Sequence, residues 1–176
     1  MRKPLIVLFG LLICWGASAK PKVVPGDVPP AYLGKTLSGK KVNLKSLRGD
    51  VVVISFWATW CHYCIKELPV WAGIQHIATK KGLHMQVVAV DHDERRHIFH
   101  RAAHLLKSRL PNLLITSDPR GRIGKPYGVS AIPFMVMLHK NGRVAYVHVG
   151  YDKSQLDSLI KEVNTLLNEP APQQIP

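Results

Sequence analysis

Residues 51–56, Val-Val-Val-Ile-Ser-Phe, form an almost unbroken apolar and β-branched run. Such a run predicts a strand buried on both faces. Residues 85–90 repeat the pattern, and residues 113–116 give a shorter version. Between these runs the apolar spacing becomes helical. One helix is expected from near Cys61 to about Lys80, kinked by Pro69. A second is expected over 94–107, with Ile98, Ala102, Leu105 and Leu106 on one stripe.

Residues 20–30 hold four prolines and little periodic pattern, which reads as an extended leader. Leu37-Ser38-Gly39-Lys40 reads as a turn, and residues 41–44 alternate as a strand does. Residues 117–121 predict a turn before a short helical piece around Ile123. Residues 134–138 and 144–149 read as strands joined by a tight Asn141-Gly142 hairpin. Ser154 can cap a last helix ending near Leu167, and residues 169–176 read as a disordered tail. Helices between strands require parallel crossovers, whereas the last hairpin is antiparallel. The expected class is α/β: a central mixed β-sheet flanked by helices, with an N-terminal β-hairpin. Residues 31–168 would form that one domain.

The first 19 residues stand outside this scheme. Arg2 and Lys3 precede an apolar core, and Ala17-Ser18-Ala19 is a small-x-small cleavage signal. This is the pattern of a secretory signal peptide cut after Ala19. The uncharged stretch is shorter than the roughly 20 residues that a membrane span needs. Ile13 stands where lipid attachment at Cys14 would call for a small residue, so Cys14 reads as an apolar residue of the signal. The 47% apolar and 20% charged composition excludes a disordered chain. A formal charge of +13 can attract anionic partners. The bases are scattered without a nucleic-acid motif, so a basic solvated surface is the simpler reading, and no nucleic-acid partner is expected.

After cleavage two cysteines remain, within Cys61-His62-Tyr63-Cys64. The motif follows a buried strand and opens a helix. A helix N-terminus offers free N–H groups and partial positive charge, and both stabilise a thiolate. Cys61 is therefore the expected nucleophile. Cys64, on the same helix face, can resolve a mixed disulfide formed by Cys61. A four-thiolate zinc site would need a second cysteine pair, and a structural bridge over so short a loop stabilises little. The chemistry needs no cofactor.

The string Phe56-Trp57-Ala58-Thr59-Trp60-Cys61-His62-Tyr63-Cys64-Ile65-Lys66-Glu67-Leu68-Pro69 resembles the thioredoxin-fold active site. Within that superfamily it is similar to the TlpA/ResA-like branch of exported thiol–disulfide oxidoreductases, which includes the CcmG-type cytochrome c maturation proteins. Gly39, Lys40, Leu47, Arg48, Gly49, Asp118, Gly121, Tyr127, Gly128, Val129, Ile132, Pro133 and the segment from Asn141 to Val144 extend the likeness over nearly the whole mature chain. The resemblance implies a thioredoxin-like fold and a cis-proline at Pro133 facing the dithiol, with Ile132 touching substrate through its backbone. It also implies that Glu67 is partly buried near the dithiol, tuning its titration or relaying a proton. Ser55 stands where thioredoxins proper carry a buried Asp, and Phe134 where the family often has Thr. The latter would alter the groove.

Trp57 is expected in the core. Trp60, His62 and Tyr63 are expected on the rim, where they would meet substrate. A protonated His62 would favour the thiolate. His97, His100 and His104 share a helix face with His92 just upstream, a spacing that can hold a metal but more often marks a solvated face.

Three functions fit these residues. The first is a periplasmic reductant of exported protein thiols, with apocytochrome c among its candidates and a DsbD-type membrane electron donor behind it. The second is a periplasmic oxidant or disulfide isomerase, suggested by Tyr63, which resembles the second middle residue of DsbC-like and DsbG-like isomerases, and by the lack of an obvious membrane anchor. The third is a copper-binding module using Cys61, Cys64 and a histidine. No dimerisation helix stands out, so a monomer without a stable membrane anchor is expected.

Overall fold

The computed structural model describes residues 21–150 and 153–170. The expected signal peptide, and the tail from residue 171, lie outside the described residues. The elements run β1 (Tyr32–Lys35), β2 (Lys41–Asn43), β3 (Val51–Trp57), α1 (His62–Lys80), β4 (Met85–His92), α2 (Arg96–Arg109), β5 (Leu114–Asp118), α3 (Gly124–Tyr127), β6 (Phe134–Leu138), β7 (Val144–Val149) and α4 (Leu156–Leu167). The seven strands form one sheet in the order β2-β1-β5-β4-β3-β6-β7. Strands β3, β4 and β5 are parallel, while β1, β2, β6 and β7 pair antiparallel with their neighbours. The sheet is mixed and the class is α/β, as the run pattern predicts.

Strand β3 lies between β4 and β6, and all seven of its residues are buried. Its alternate side chains feed two separate cores. Val51, Val53 and Trp57 pack on one face with Val87 and Ala89 of β4, beneath α1, α2 and α4. Val52, Ile54 and Phe56 pack on the other with Val88 and Val90. That second face is covered by Val23 of the leader, Leu33 of β1, Val42 of β2 and Tyr127 of α3. The sequential crossovers β3-α1-β4-α2-β5 step in one direction across the sheet, which places α1 and α2 on the same side. Each large apolar side chain so buried contributes about 1.5–3 kcal/mol.

The leader is held by its backbone. Lys22 N–H donates to Tyr127 O, Gly26 N–H to Val144 O, and Val144 N–H to Asp27 O. The Tyr127 hydroxyl donates to Pro30 O at 2.5 Å. Gln75 of α1 locks that helix to the sheet: it donates to Asn112 O at 2.9 Å and accepts from Val87 N–H at 2.8 Å.

Three sequence expectations are corrected here. Helix α2 begins at Arg96 because Glu94 is buried and engaged by Thr59 rather than opening the helix. Its fully buried positions are Phe99 and Ala103; Ala102 and Leu106 of the expected stripe pack against the same core, whereas Leu105 is left 52% exposed. Ser154 lies within a 3-10 turn (Lys153–Gln155), and α4 begins after Gln155. Glu169 Oε1 lies 2.8 Å from His139 Nδ1 on the β6–β7 turn.

Gly34 adopts φ +99° where β1 meets β5. A Cβ there would lie 2.8 Å from Ser117 O and 3.1 Å from Thr116 Cβ. Gly34→Ala is therefore expected to cost about 1–3 kcal/mol, read as a lower midpoint in urea unfolding.

Candidate active site

Strand β3 ends at Trp57, and after three intervening residues the chain reaches Cys61, from which α1 starts at His62. Cys61 is the N-cap of that helix, with extended backbone, and its Sγ accepts the N–H of Cys64 at 3.2 Å. The two cysteines form a disulfide, S–S 2.03 Å and Cα–Cα 5.3 Å. They differ in access: Cys61 is 6% exposed and Cys64 is fully enclosed. Around them Trp60 is 71% exposed and Tyr63 54%, an apolar rim on an otherwise basic chain. His62 is exposed next to Tyr63, their ring centroids 6.0 Å apart. Trp57 is fully buried in the core.

Pro133 immediately precedes β6, whose first residue, Phe134, pairs with Phe56 of β3. The end of β6 that carries Ile132 and Pro133 is thus beside the strand end that delivers Cys61. The Ile132–Pro133 peptide bond is cis. Ile132 is half-buried against the cluster that contains Cys61 and Cys64. Phe134, expected to alter the groove, points to the opposite core, where it packs edge-on against Phe56 at 5.9 Å. Met135 takes the dithiol-side face instead.

Glu67 lies one turn beyond Cys64 and is buried. Its Oε1 accepts the indole N–H of Trp71 at 3.0 Å, while Oε2 is buried without a hydrogen-bond partner among the described residues. Burial raises the Glu67 pKa above the ordinary carboxylate range, against the opposing pull of Trp71 and of His148 on β7.

Two carboxyls at the head of the site escape the motif reading. Glu94 clasps the loop before Cys61: Oε2 accepts the Thr59 N–H at 2.7 Å and Oε1 the Thr59 hydroxyl at 2.6 Å. Asp91, opposite Trp57 and Ser117 in the sheet, is fully buried. No N–H donor among the described residues reaches either oxygen, and the protonated acid hydrogen-bonds the Glu94 carboxyl. Burial first, then the neighbouring Glu94 and Asp118, push its pKa up to about 8. The one sequence signal for it is an acid at the end of an apolar strand. For Asp118 burial acts upward, but His92 and the N–H groups of Ile123 and Gly124 outweigh it and lower the pKa. His92 is thereby occupied, its Nδ1 3.2 Å from Asp118 Oδ2.

The histidine row does not build a metal site. His97 and His104 are exposed, and His100 Nε2 accepts from Arg96 Nε at 3.3 Å. No group of three or more His, Cys, Asp or Glu among the described residues is placed to hold a metal.

A vicinal dithiol at a helix N-terminus, set on this sheet, defines a thiol–disulfide oxidoreductase of the thioredoxin superfamily. The chain belongs to the Redoxin family, whose model matches residues 20–167, and within the superfamily it is ResA/CcmG-like. It is 30% identical over 145 residues to the thiol-disulfide oxidoreductase ResA of Bacillus thuringiensis, covering 82% of this chain and 81% of that one. The ResA of Bacillus subtilis is 27% identical over 150 residues, covering 85% and 79%. Among solved structures, a Chlorobium tepidum protein described as thiol:disulfide interchange protein DsbE superposes with TM-score 0.72 at 28% identity, covering 83% of this chain and 99% of that one.

The raised Asp91 pKa has a definite sign. The folded chain keeps a proton that the unfolded chain releases near pH 4, so this contribution to stability falls as pH rises toward 8. Asp91→Asn, neutral throughout, is expected to be more stable than the natural chain at pH 8–9 by a few kcal/mol, a gain that shrinks toward pH 4. Thermal melts across that range measure it.

Proposed function

We propose that this protein is a periplasmic disulfide reductase in which Cys61 attacks and Cys64 resolves. The observation that carries the assignment is the helix-capping Cys61 Sγ, which accepts the Cys64 N–H while Cys64 is enclosed. A thiolate at Cys61 keeps that hydrogen bond and gains the partial positive charge of the helix end. In the reduced protein the Cys61 thiolate attacks one sulfur of a substrate disulfide. A Cys61–substrate bond forms, and the other substrate sulfur leaves as a thiolate that takes a proton. Cys64, deprotonated, then attacks Cys61 Sγ, closing the Cys61–Cys64 disulfide and releasing the second substrate thiol. Two electrons pass to the substrate, and a membrane donor of the DsbD type would return them.

Glu67 is the acid placed to take or give the Cys64 proton: it follows Cys64 by one turn, is buried and has an unoccupied oxygen. Trp60, His62 and Tyr63 form the exposed surface on which a polypeptide would rest, and Ile132 with Pro133 forms its far wall. Export through the leading segment and action on apocytochrome c or other exported thiols complete the reading. It is supported by the ResA and DsbE relatives and by the leader pattern of residues 1–19. No helix among the described residues is long and apolar enough to cross a membrane.

Cys61→Ala is expected to abolish insulin reduction, whereas Cys64→Ala accumulates mixed disulfides visible on non-reducing gels. Equilibration with glutathione should give a potential near thioredoxin's, about −270 mV. A value of about −180 to −120 mV would instead make the protein an isomerase or oxidant. Glu67→Gln is expected to slow exchange roughly 10²-fold and to remove a step from the pH–rate profile, with the fold intact by circular dichroism.

A further inference from the structure

Between Glu94 and Asp118 the chain has no acidic residue, yet it carries Arg95, Arg96, Arg101, Lys107 and Arg109. The fold gathers part of this charge into a recess. Two adjoining depressions, of about 280 Å³ and about 470 Å³, share Tyr32, Arg96, Ser117 and Pro119. Lys35 and His100 line the first, and Arg120 and Arg122 line the second. The four ion pairs among the described residues all use histidine, so none neutralises these arginines or Lys35. Asp118, on the floor, is buried and already held by His92 and two backbone N–H groups.

Position gives the recess a use. Ser117 pairs with Asp91, and Asp91 pairs with Trp57, the last residue of the strand that leads to Cys61. The recess therefore opens at the same end of the sheet as the dithiol, two strands across, or about 10 Å at the ordinary strand spacing. Three or four extended residues span that distance at about 3.3 Å each.

We infer that this cleft binds an acidic segment of the protein whose disulfide meets Cys61. The inference rests on the exchange reading above, of which it specifies the partner. Charge complementarity selects an anion, and the concave shape beside the dithiol selects a polypeptide over a flat lipid surface. Arginine forks suit carboxylates in pairs, and exposed Tyr32 offers an aromatic wall for their stems.

The test compares two peptides with the same internal disulfide, one flanked four residues away by three glutamates and one by three glutamines. The natural protein is expected to turn over the acidic peptide with kcat/KM about tenfold higher at low salt, and the gap should close as sodium chloride is added. The exposed-residue variant R96E/R120E/R122E should lose that preference while reducing hydroxyethyl disulfide at the natural rate. R96Q/R120Q/R122Q serves as the milder form. Equal turnover of the two peptides by the natural protein overturns the inference, as does a preference that survives charge reversal. A cysteine-free version of each peptide, followed by fluorescence anisotropy, reads the cleft without exchange. If hydroxyethyl disulfide is not reduced at all, the redox reading fails, and the anisotropy still decides on the cleft. Arginine-dependent binding to vesicles containing anionic lipid, with no binding of the acidic peptide, would make the face a membrane surface and overturn the inference.

Discussion

One hydrogen bond organises this molecule's chemistry: the Cys64 N–H held by the sulfur of Cys61 at the first turn of α1. It requires Cys61 to be a cap rather than a helical residue, and that requires the chain to leave β3 and turn within three residues. The turn is held from outside by Glu94, which takes both the amide and the hydroxyl of Thr59. The strand is held from below by two buried neighbours and two apolar cores. A looser scaffold would let the cap fray, and the sulfur would lose the donors that favour its thiolate.

The carboxyls around the dithiol divide by environment. Glu67 sits beyond Cys64 with one oxygen on an indole N–H and the other unoccupied, so burial favours its neutral form. Asp91 meets no N–H donor, hydrogen-bonds the Glu94 carboxyl in its protonated form, lies near Asp118, and is pushed up to about 8. Asp118 meets two backbone N–H groups and His92, and is held ionised. One acid on α1 and two at the end of the sheet thus span the carboxyl's range of behaviour, because each has a different count of donors.

The two faces of the sheet carry different duties. The dithiol, α1, α2 and α4 share one core, and the leader, the β1–β2 strands and α3 close the other. Phe134 belongs to the second, so its size supports the fold beneath the site without reaching the sulfurs. Charge is also sorted: the Arg- and His-rich α2 and the arginines after β5 border one recess at the site's end of the sheet.

Short-range patterns determined much of this from the sequence alone. The period-2 and continuous apolar runs placed β3, β4, β6 and β7 within a residue or two, because burial on both faces leaves no other reading of Val51 to Phe56. The strand–Cys-x-x-Cys–helix order located the dithiol, since the helix-end chemistry is local in sequence. Only the tertiary structure decided what depends on contacts between distant segments. Helix α2 buried Phe99 and Ala103 beside Ala102 and Leu106 of the expected stripe and left Leu105 outside. Thr59 and Glu94, 35 residues apart, met at the mouth of the site. Asp91 became a buried acid facing Glu94, and arginines 96, 120 and 122 came to line one recess. Periodicity reports which side of an element turns inward on average, whereas partners across a sheet are chosen by register and packing, which no single segment encodes.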